Sequence, residues 1–330
     1  MMKQYDIITF GSATKDIFFR SNKFKTIAGK KFTTGKGICL TLGSKIEADE
    51  MVSSSGGGGT NTAATFAKQG FSVAFCGVVG RDLVGDAIVE ELEGLKINTQ
   101  LIIRTDKKLT DCSVILLTGA RERTILIYHG ASGEIVKNNI PWNKLKADWF
   151  YIAPLSGKYS LLTDDLINFA QGNGIKIAFN PGKGQILLLK DKFKNVFKKI
   201  DILFLNQEEA AVLTGIPYEK EKEIFAKIIE FCPGIVVMTK GERGVIVSDG
   251  NYLYEANALG LKPVDVTGAG DSFASGFTSG FMQKKGNVEY AIQLGMANSA
   301  SCLRKIGAKN GLLEKGDKWK KVKVEKTKHA

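Results

Sequence analysis

The stretch VDVTGAGDSFASGF, Val264 to Phe277, sets three tiny residues, Gly268, Ala269 and Gly270, directly before an aspartate. Past Asp271 the apolar residues fall at Phe273, Phe277 and Phe281, a four-residue spacing that predicts one face of a helix. Asp271 then stands at the helix start, where backbone N–H groups lack partners and the macrodipole is positive. One reading has Asp271 capping the helix, as aspartate does well. The other has the small residues admitting an anion to bare N–H groups while Asp271 handles a proton.

A second glycine cluster, SSSGGGGTNTAATFAKQG from Ser53 to Gly70, also runs into a helix, with Asn61 near its start as N-cap or ligand donor. It lacks the GK[ST] ending of a P-loop, and it does not follow the strand and GxGxxG order of a dinucleotide fold. An NAD-dependent oxidoreductase is therefore not expected.

Around these clusters lie short apolar runs that read as buried strands: YDIITFG, VAFCGVVG, DWFYIAPL, IKIAFNPG, DILFLN and GIVVMTKG. Most alternate with helical stretches such as DAIVEELEGL, LLTDDLINFAQG and KEIFAKIIEF, which predicts an α/β chain with a parallel sheet covered by helices. Residues 15–54 and 98–128 break the rhythm. Their alternating stretches (ICLTLG, KIEADEMV, TQLIIR, DCSVILLT, RTILIYHG) predict antiparallel strands forming a small sheet beyond the main one, placed to cover a site. Ligands of such folds bind beyond the carboxyl ends of the strands, where Asp16, Asn180, Asn206 and Thr239 fall.

Composition narrows the classes. Glycine is 37 of 330 residues, gathered in the two clusters rather than spread as low complexity. The net charge of +12 raises nucleic acid as a partner. Much of it, however, sits in KDKFKNVFKK from Lys190, where Phe193 and Phe197 predict an amphipathic helix, and in the lysine-rich tail, residues 315–330. With neither zinc-finger spacing nor an aromatic–basic RNA signature, a nucleic-acid partner is not expected. Five scattered cysteines without CxxC spacing fit a reducing compartment rather than a disulfide framework or metal site. No run reaches transmembrane length and the start is too polar for a signal peptide, so a cytoplasmic protein without membrane partners is expected. The two histidines, His129 and His329, leave little for a His-rich metal centre.

With both glycine clusters in view, the chain resembles the ribokinase-like (PfkB) family of carbohydrate and nucleoside kinases. The resemblance rests on GSATKD with Asp16, the GGGGTN run followed by VAFCGVVGRDLVGD, then LNQEEAAVLTG, VMTKGERGV, DVTGAGDSFASGF and ANSASCLRKIGA. It implies one kinase domain over residues 1–330, with a three-layer α/β core, a mostly parallel central sheet flanked by helices, and a β-lid made from the two irregular regions. It also implies ATP- and magnesium-dependent phosphorylation of a hydroxymethyl group. Asp271 would take the proton from the substrate hydroxyl, and the N–H groups of Gly268, Ala269 and Gly270 would form the anion hole. Phosphoryl transfer needs mainly positioning and charge stabilisation, which helix-terminal N–H groups supply. A carboxylate near its reference pKa of about 3.9 is ionised at neutral pH and ready for that proton.

The same resemblance assigns Asp16, Gly57 and Asn61 to substrate hydroxyls. On the nucleotide side it assigns Asn206, Thr239 and Gly241, with Asn298 lining the adenine pocket. Glu209, in the NxxE pattern with Asn206, would organise magnesium through water, the alternative being a first-turn helix acid. Asp265, Thr267 and Gly307 match loop positions that bind potassium in many members. Ribokinases proper carry GGKGAN, and here Gly58 stands in place of the lysine, which puts ribose in doubt. The lysine-rich insertion between Ser21 and Val52 either steers an anionic substrate or is simply solvated. YHGASG, Tyr128 to Gly133, brings Tyr128 or His129 to the lid's return, with a structural histidine as the plainer reading. The leading expectation is a sugar kinase. A nucleoside kinase would use Phe18, Phe19 or Tyr128 against a base, and a catalytically silent binding protein would have lost the GAGD residues, which are intact. A lid with exposed edges invites a homodimer.

Overall fold

The computed structural model describes residues 4–30, 32, 35–118, 123–189 and 192–329. Strand β1 (Tyr5–Phe10) opens the main sheet, and the chain leaves it for β2 (Thr14–Ser21), β3 (Lys25–Ala28), β4 (Lys36–Cys39) and β5 (Glu50–Gly56). It returns through α1 (Gly58–Lys68) to β6 (Val73–Cys76), then runs through β7 (Val78–Gly80), α2 (Leu83–Gly94), β8 (Ile103–Thr105), β9 (Asp111–Thr118) and β10 (Arg123–Tyr128). Alternation then takes over: β11 (Ala147–Ile152), α3 (Gly157–Ser160), α4 (Thr163–Gly172), β12 (Lys176–Phe179), α5 (Lys183–Leu189), α6 (Phe193–Phe197), β13 (Ile202–Asn206), α7 (Gln207–Thr214), α8 (Glu221–Ile229) and β14 (Ile235–Thr239). A hairpin of β15 (Val245–Ser248) and β16 (Tyr252–Ala256), helices α9 (Ala269–Gln283) and α10 (Val288–Cys302), and β17 (Glu325–Lys328) complete it.

Nine strands form the main sheet in the order β17-β16-β15-β14-β13-β12-β11-β1-β6. From β6 to β14 neighbours run parallel, and from β14 to β17 antiparallel. The parallel strands are apolar on both faces because both faces are covered. Alternate residues divide between two cores: Ile8, Phe10, Phe150 and Ile152 pack with α3 to α8, while Ile7, Tyr151 and Ala178 pack with α1, α2, α9 and α10. The three-layer expectation therefore holds. Among the described residues no helix is long and apolar enough to cross a membrane.

The small sheet has the order β10-β9-β2-β5. Its outer pairs are antiparallel as expected, but β2 and β9 run parallel, with Asp16 opposite Ser113. It is narrower than the irregular regions: β8 pairs with β7, β3 pairs with β4, and residues 45–49 are not strand. The run VAFCGVVG divides at Gly77, with β6 in the main sheet and β7 outside it. Phe193 and Phe197 lie on α6 as their spacing predicts, while Lys190 and Asp191 fall outside the described residues. The lysine-rich tail is not a loose end. β17 adds an edge strand to β16, with Lys326 Nζ 3.8 Å from the Tyr252 ring centroid, and Trp319 packs against Tyr290.

Candidate active site

Helix α9 begins after Gly268, which caps it in the left-handed conformation (φ 75°), and Asp271 is its third residue. A side chain at Gly268 would be strained by that backbone and would meet Ala308 Cβ at 2.4 Å, so glycine is required twice over. Asp271 does not cap the helix. Its Oδ2 accepts instead from Asn61 Nδ2 at 2.8 Å, across 210 residues of sequence. Asn61 is likewise no cap: it lies inside α1, whose N-cap is Gly57 (φ 94°). Of the three N–H groups expected in the anion hole, Ala269's turns back to Val266 O at 3.3 Å. Gly270, exposed in the first turn, remains well placed for an anion.

Asp16 reaches the same locality from β2. It is buried, and its carboxylate packs directly over Gly56, where an added Cβ would lie 2.0 Å from Asp16 Oδ2. Burial raises the Asp16 carboxyl above the ordinary carboxylate range, while a hydrogen bond from Ser113 and the charge of Lys309 pull it back. Asp271 is also raised by burial, moderated by Asn61 and Lys309, so it is not the ordinary carboxylate expected from sequence. Two buried polar atoms here have no hydrogen-bond partner among the described residues: Asn61 Oδ1 and the Tyr151 hydroxyl, the latter within the field of Asp271. The glycine run, Asp16, Asn61 and Asp271 thus form one polar cluster between α1, β2, β5 and α9.

Sequence reasoning missed Lys309. This lysine, in the turn after α10, is buried and donates to Ser55 Oγ, while Ser55 donates to Glu91 Oε1 at 2.5 Å and Nζ lies 3.4 Å from that same oxygen. Burial lowers its pKa to about 8 despite Glu91. No motif marks it, because what distinguishes it from the other lysines is burial, a tertiary property. Tyr151 was hidden in the same way, inside an apolar strand.

At the carboxyl ends of β13 and β14 lie Asn206, Thr239 and Gly241, the last at φ 58°. Asn206 and Glu209 form a capping box for α7: Asn206 Oδ1 accepts from Glu209 N at 2.8 Å and Glu209 Oε2 from Asn206 N at 2.9 Å. Burial raises the Glu209 carboxyl. With its bonds to Asn206 made, the Glu209 carboxylate still fits magnesium held through water, since that ion keeps most of its hydration and needs one or two carboxylates. Among the described residues no cluster of three or more His, Cys, Asp or Glu stands ready to ligate a metal directly.

Asn298 does not fit an adenine pocket. It is fully buried, donating to Ser272 O at 2.8 Å and accepting from Leu313 N at 2.9 Å, so its amide ties α10 to α9 and the tail. Phe18 faces the interior of the small sheet and offers no surface to a base, whereas Tyr128 and His129 are exposed at the end of β10. An open cleft with an empty volume of about 770 Å³ lies at the opposite, amino-terminal ends of the strands beside Lys176, Lys199 and Asp201, away from these carboxylates.

A doubly covered α/β sheet with a glycine-capped helix, a buried aspartate and a second glycine run meets the requirements of a phosphotransferase. The family described as "pfkB family carbohydrate kinase" matches residues 34–315, and the chain belongs to it. Members are kinases of sugars and nucleosides, acting on alcohol acceptors. Among curated relatives, ribokinase of Haemophilus influenzae is 29% identical over 266 residues, covering 78% of this chain and 83% of that protein. Cytidine kinase of Thermococcus kodakarensis is 30% identical over 254 residues, covering 69% and 88%. Among solved structures, Arabidopsis thaliana ribokinase complexed with ribose and ATP superposes with a TM-score of 0.73 at 20% identity, covering 94% of this chain and 96% of that one.

Proposed function

We propose that the chain transfers the γ-phosphoryl group of ATP to a hydroxymethyl group of a small sugar or sugar derivative, with Asp271 as the base. The observation that carries this reading is the Asn61–Asp271 hydrogen bond of 2.8 Å, which joins the glycine run to the GAGD helix beside buried Asp16. The substrate oxygen attacks the γ-phosphorus, the bond to the β–γ bridging oxygen breaks, ADP leaves, and the hydroxyl proton passes to the Asp271 carboxylate. A carboxyl raised by burial suits that task, because proton transfer is most effective when the base's pKa approaches the working pH. The N–H groups at the start of α9, Gly270's foremost, lie where the transferring group's charge would fall. Asn61 Oδ1, buried and unpartnered, is an acceptor for a substrate hydroxyl, and Asp16 over Gly56 is another.

ATP as donor is supported by the Arabidopsis relative, whose structure is a complex with ribose and ATP. Thr239, Gly241 and Asn206 are its contacts in this reading, at the strand ends where such ligands sit. Magnesium, when bound, would neutralise phosphate charge, with the Glu209 carboxylate holding one of its waters. A nucleoside acceptor is the second reading, favoured by exposed Tyr128 and by the likeness to a cytidine kinase.

The test is ADP release from Mg-ATP across a panel of sugars, sugar acids and nucleosides. Turnover with a sugar supports the first reading. Turnover with nucleosides alone replaces it with the second, and turnover with none, despite ATP binding, counts against both.

A further inference from the structure

The loop that feeds the anion hole already has a cation against it. Asp265 and Thr267 stand three and one residues before Gly268, and the Asp265 side chain is only 8% exposed, with donors converging on it. Its Oδ1 accepts from Thr267 N at 3.0 Å and Thr267 Oγ1 at 2.8 Å, and its Oδ2 from Gly307 N at 3.0 Å. The fourth donor comes from the small sheet: Arg123 Nη1, at the start of β10, lies 3.4 Å from Asp265 Oδ1 and 3.3 Å from Thr267 Oγ1. Four donors are about what an ionised carboxylate can accept. The three residues that the family resemblance assigns to potassium are thus bonded to one another, and a guanidinium stands on their only charge. They do not fit a potassium ion bound through the Asp265 side chain.

We propose that Arg123 is the built-in counter-ion of this loop, serving in place of a monovalent cation, so that the chain does not depend on potassium. A guanidinium is always charged and, being less strongly hydrated than an ammonium, suits a partly buried ion pair. It neutralises a buried carboxylate that would otherwise repel the phosphates arriving at the start of α9, and it bolts the small sheet to the anion-hole loop. Arg123 is a positioning residue here, acting through Asp265 and Thr267. The inference rests on the kinase reading for its activity arm only.

The experiment compares wild type with Arg123→Gln in potassium chloride and in tetramethylammonium chloride at equal ionic strength, reading the unfolding midpoint and ADP release. Wild type should show the same midpoint in both salts and turnover within about twofold. Arg123→Gln should lose about tenfold in turnover in tetramethylammonium, and potassium should raise its midpoint and restore part of the rate. A wild type stabilised by potassium, or at least tenfold faster in it, overturns the proposal. So does an Arg123→Gln variant that responds to potassium no more than wild type. The midpoint needs no substrate, so a failure to find turnover would count against the kinase reading and leave this inference to be decided by the midpoint alone.

Discussion

Replacing Lys309 with methionine should make the folded protein more stable and a poorer catalyst. Burial lowers this lysine from 10.5 to about 8. At about 1.4 kcal/mol per pH unit, the difference is a cost of about 3 kcal/mol for carrying the charge at pH 7. The sign follows from linkage. Below pH 8 both folded and unfolded chains hold the proton, and the folded one bears the full cost. Between pH 8 and 10.5 the folded chain releases it while the unfolded chain keeps it, so wild-type stability rises with pH through this window. Methionine keeps the length and removes the charge. Lys309→Met should therefore exceed wild type by about 3 kcal/mol at pH 7 and by clearly less, about 1 kcal/mol, at pH 9.5 in urea unfolding. The Lys309 charge also holds down the Asp16 and Asp271 carboxyls. Its loss should move the acid limb of the pH–rate profile to higher pH, so that turnover falls on the acid side, where more of the base is protonated. A variant less stable than wild type at pH 7, or a gap of equal size at both pH values, would refute the reasoning.

The other pocket residues and the surface give separate tests. Asp16→Ala should raise the KM for the phosphate acceptor at least tenfold while changing the KM for ATP less than about twofold, because the proposed reaction gives Asp16 an acceptor hydroxyl to hold; steady-state kinetics with each substrate varied would decide. Strand β10 is an edge, and Ile125, Leu126, Ile127 and Tyr128 are all exposed on it. Such an edge is a template for a second chain, so sedimentation should give a dimer that Ile127→Lys converts to monomer. A monomeric wild type would end that expectation.

What the sequence made legible was local. The small residues before Asp271, the helical phase of Phe273 and Phe277, and the apolar strands each show within a dozen residues, and the main sheet followed from them. Direction of pairing did not: period-two alternation is the same for parallel and antiparallel neighbours, so the parallel β2–β9 pair was invisible. Nor was the meeting of Asn61 with Asp271, which depends on α1 and α9 lying side by side. The tail strand was not legible because EKTK carries no apolar face, yet an edge strand needs only backbone partners. Asn298 misled for the converse reason. An asparagine spent on main-chain groups between two packed helices reads in sequence like one free to bind a ligand.

The central claim is that Asp271 takes the substrate proton. The most direct measurement is turnover of Asp271→Asn with the best acceptor from the panel, beside its affinity for Mg-ATP. Asparagine keeps the shape and can still accept from Asn61. Turnover should fall by about 10²–10⁴ with ATP affinity within about twofold of wild type, whereas turnover near wild type would contradict the account.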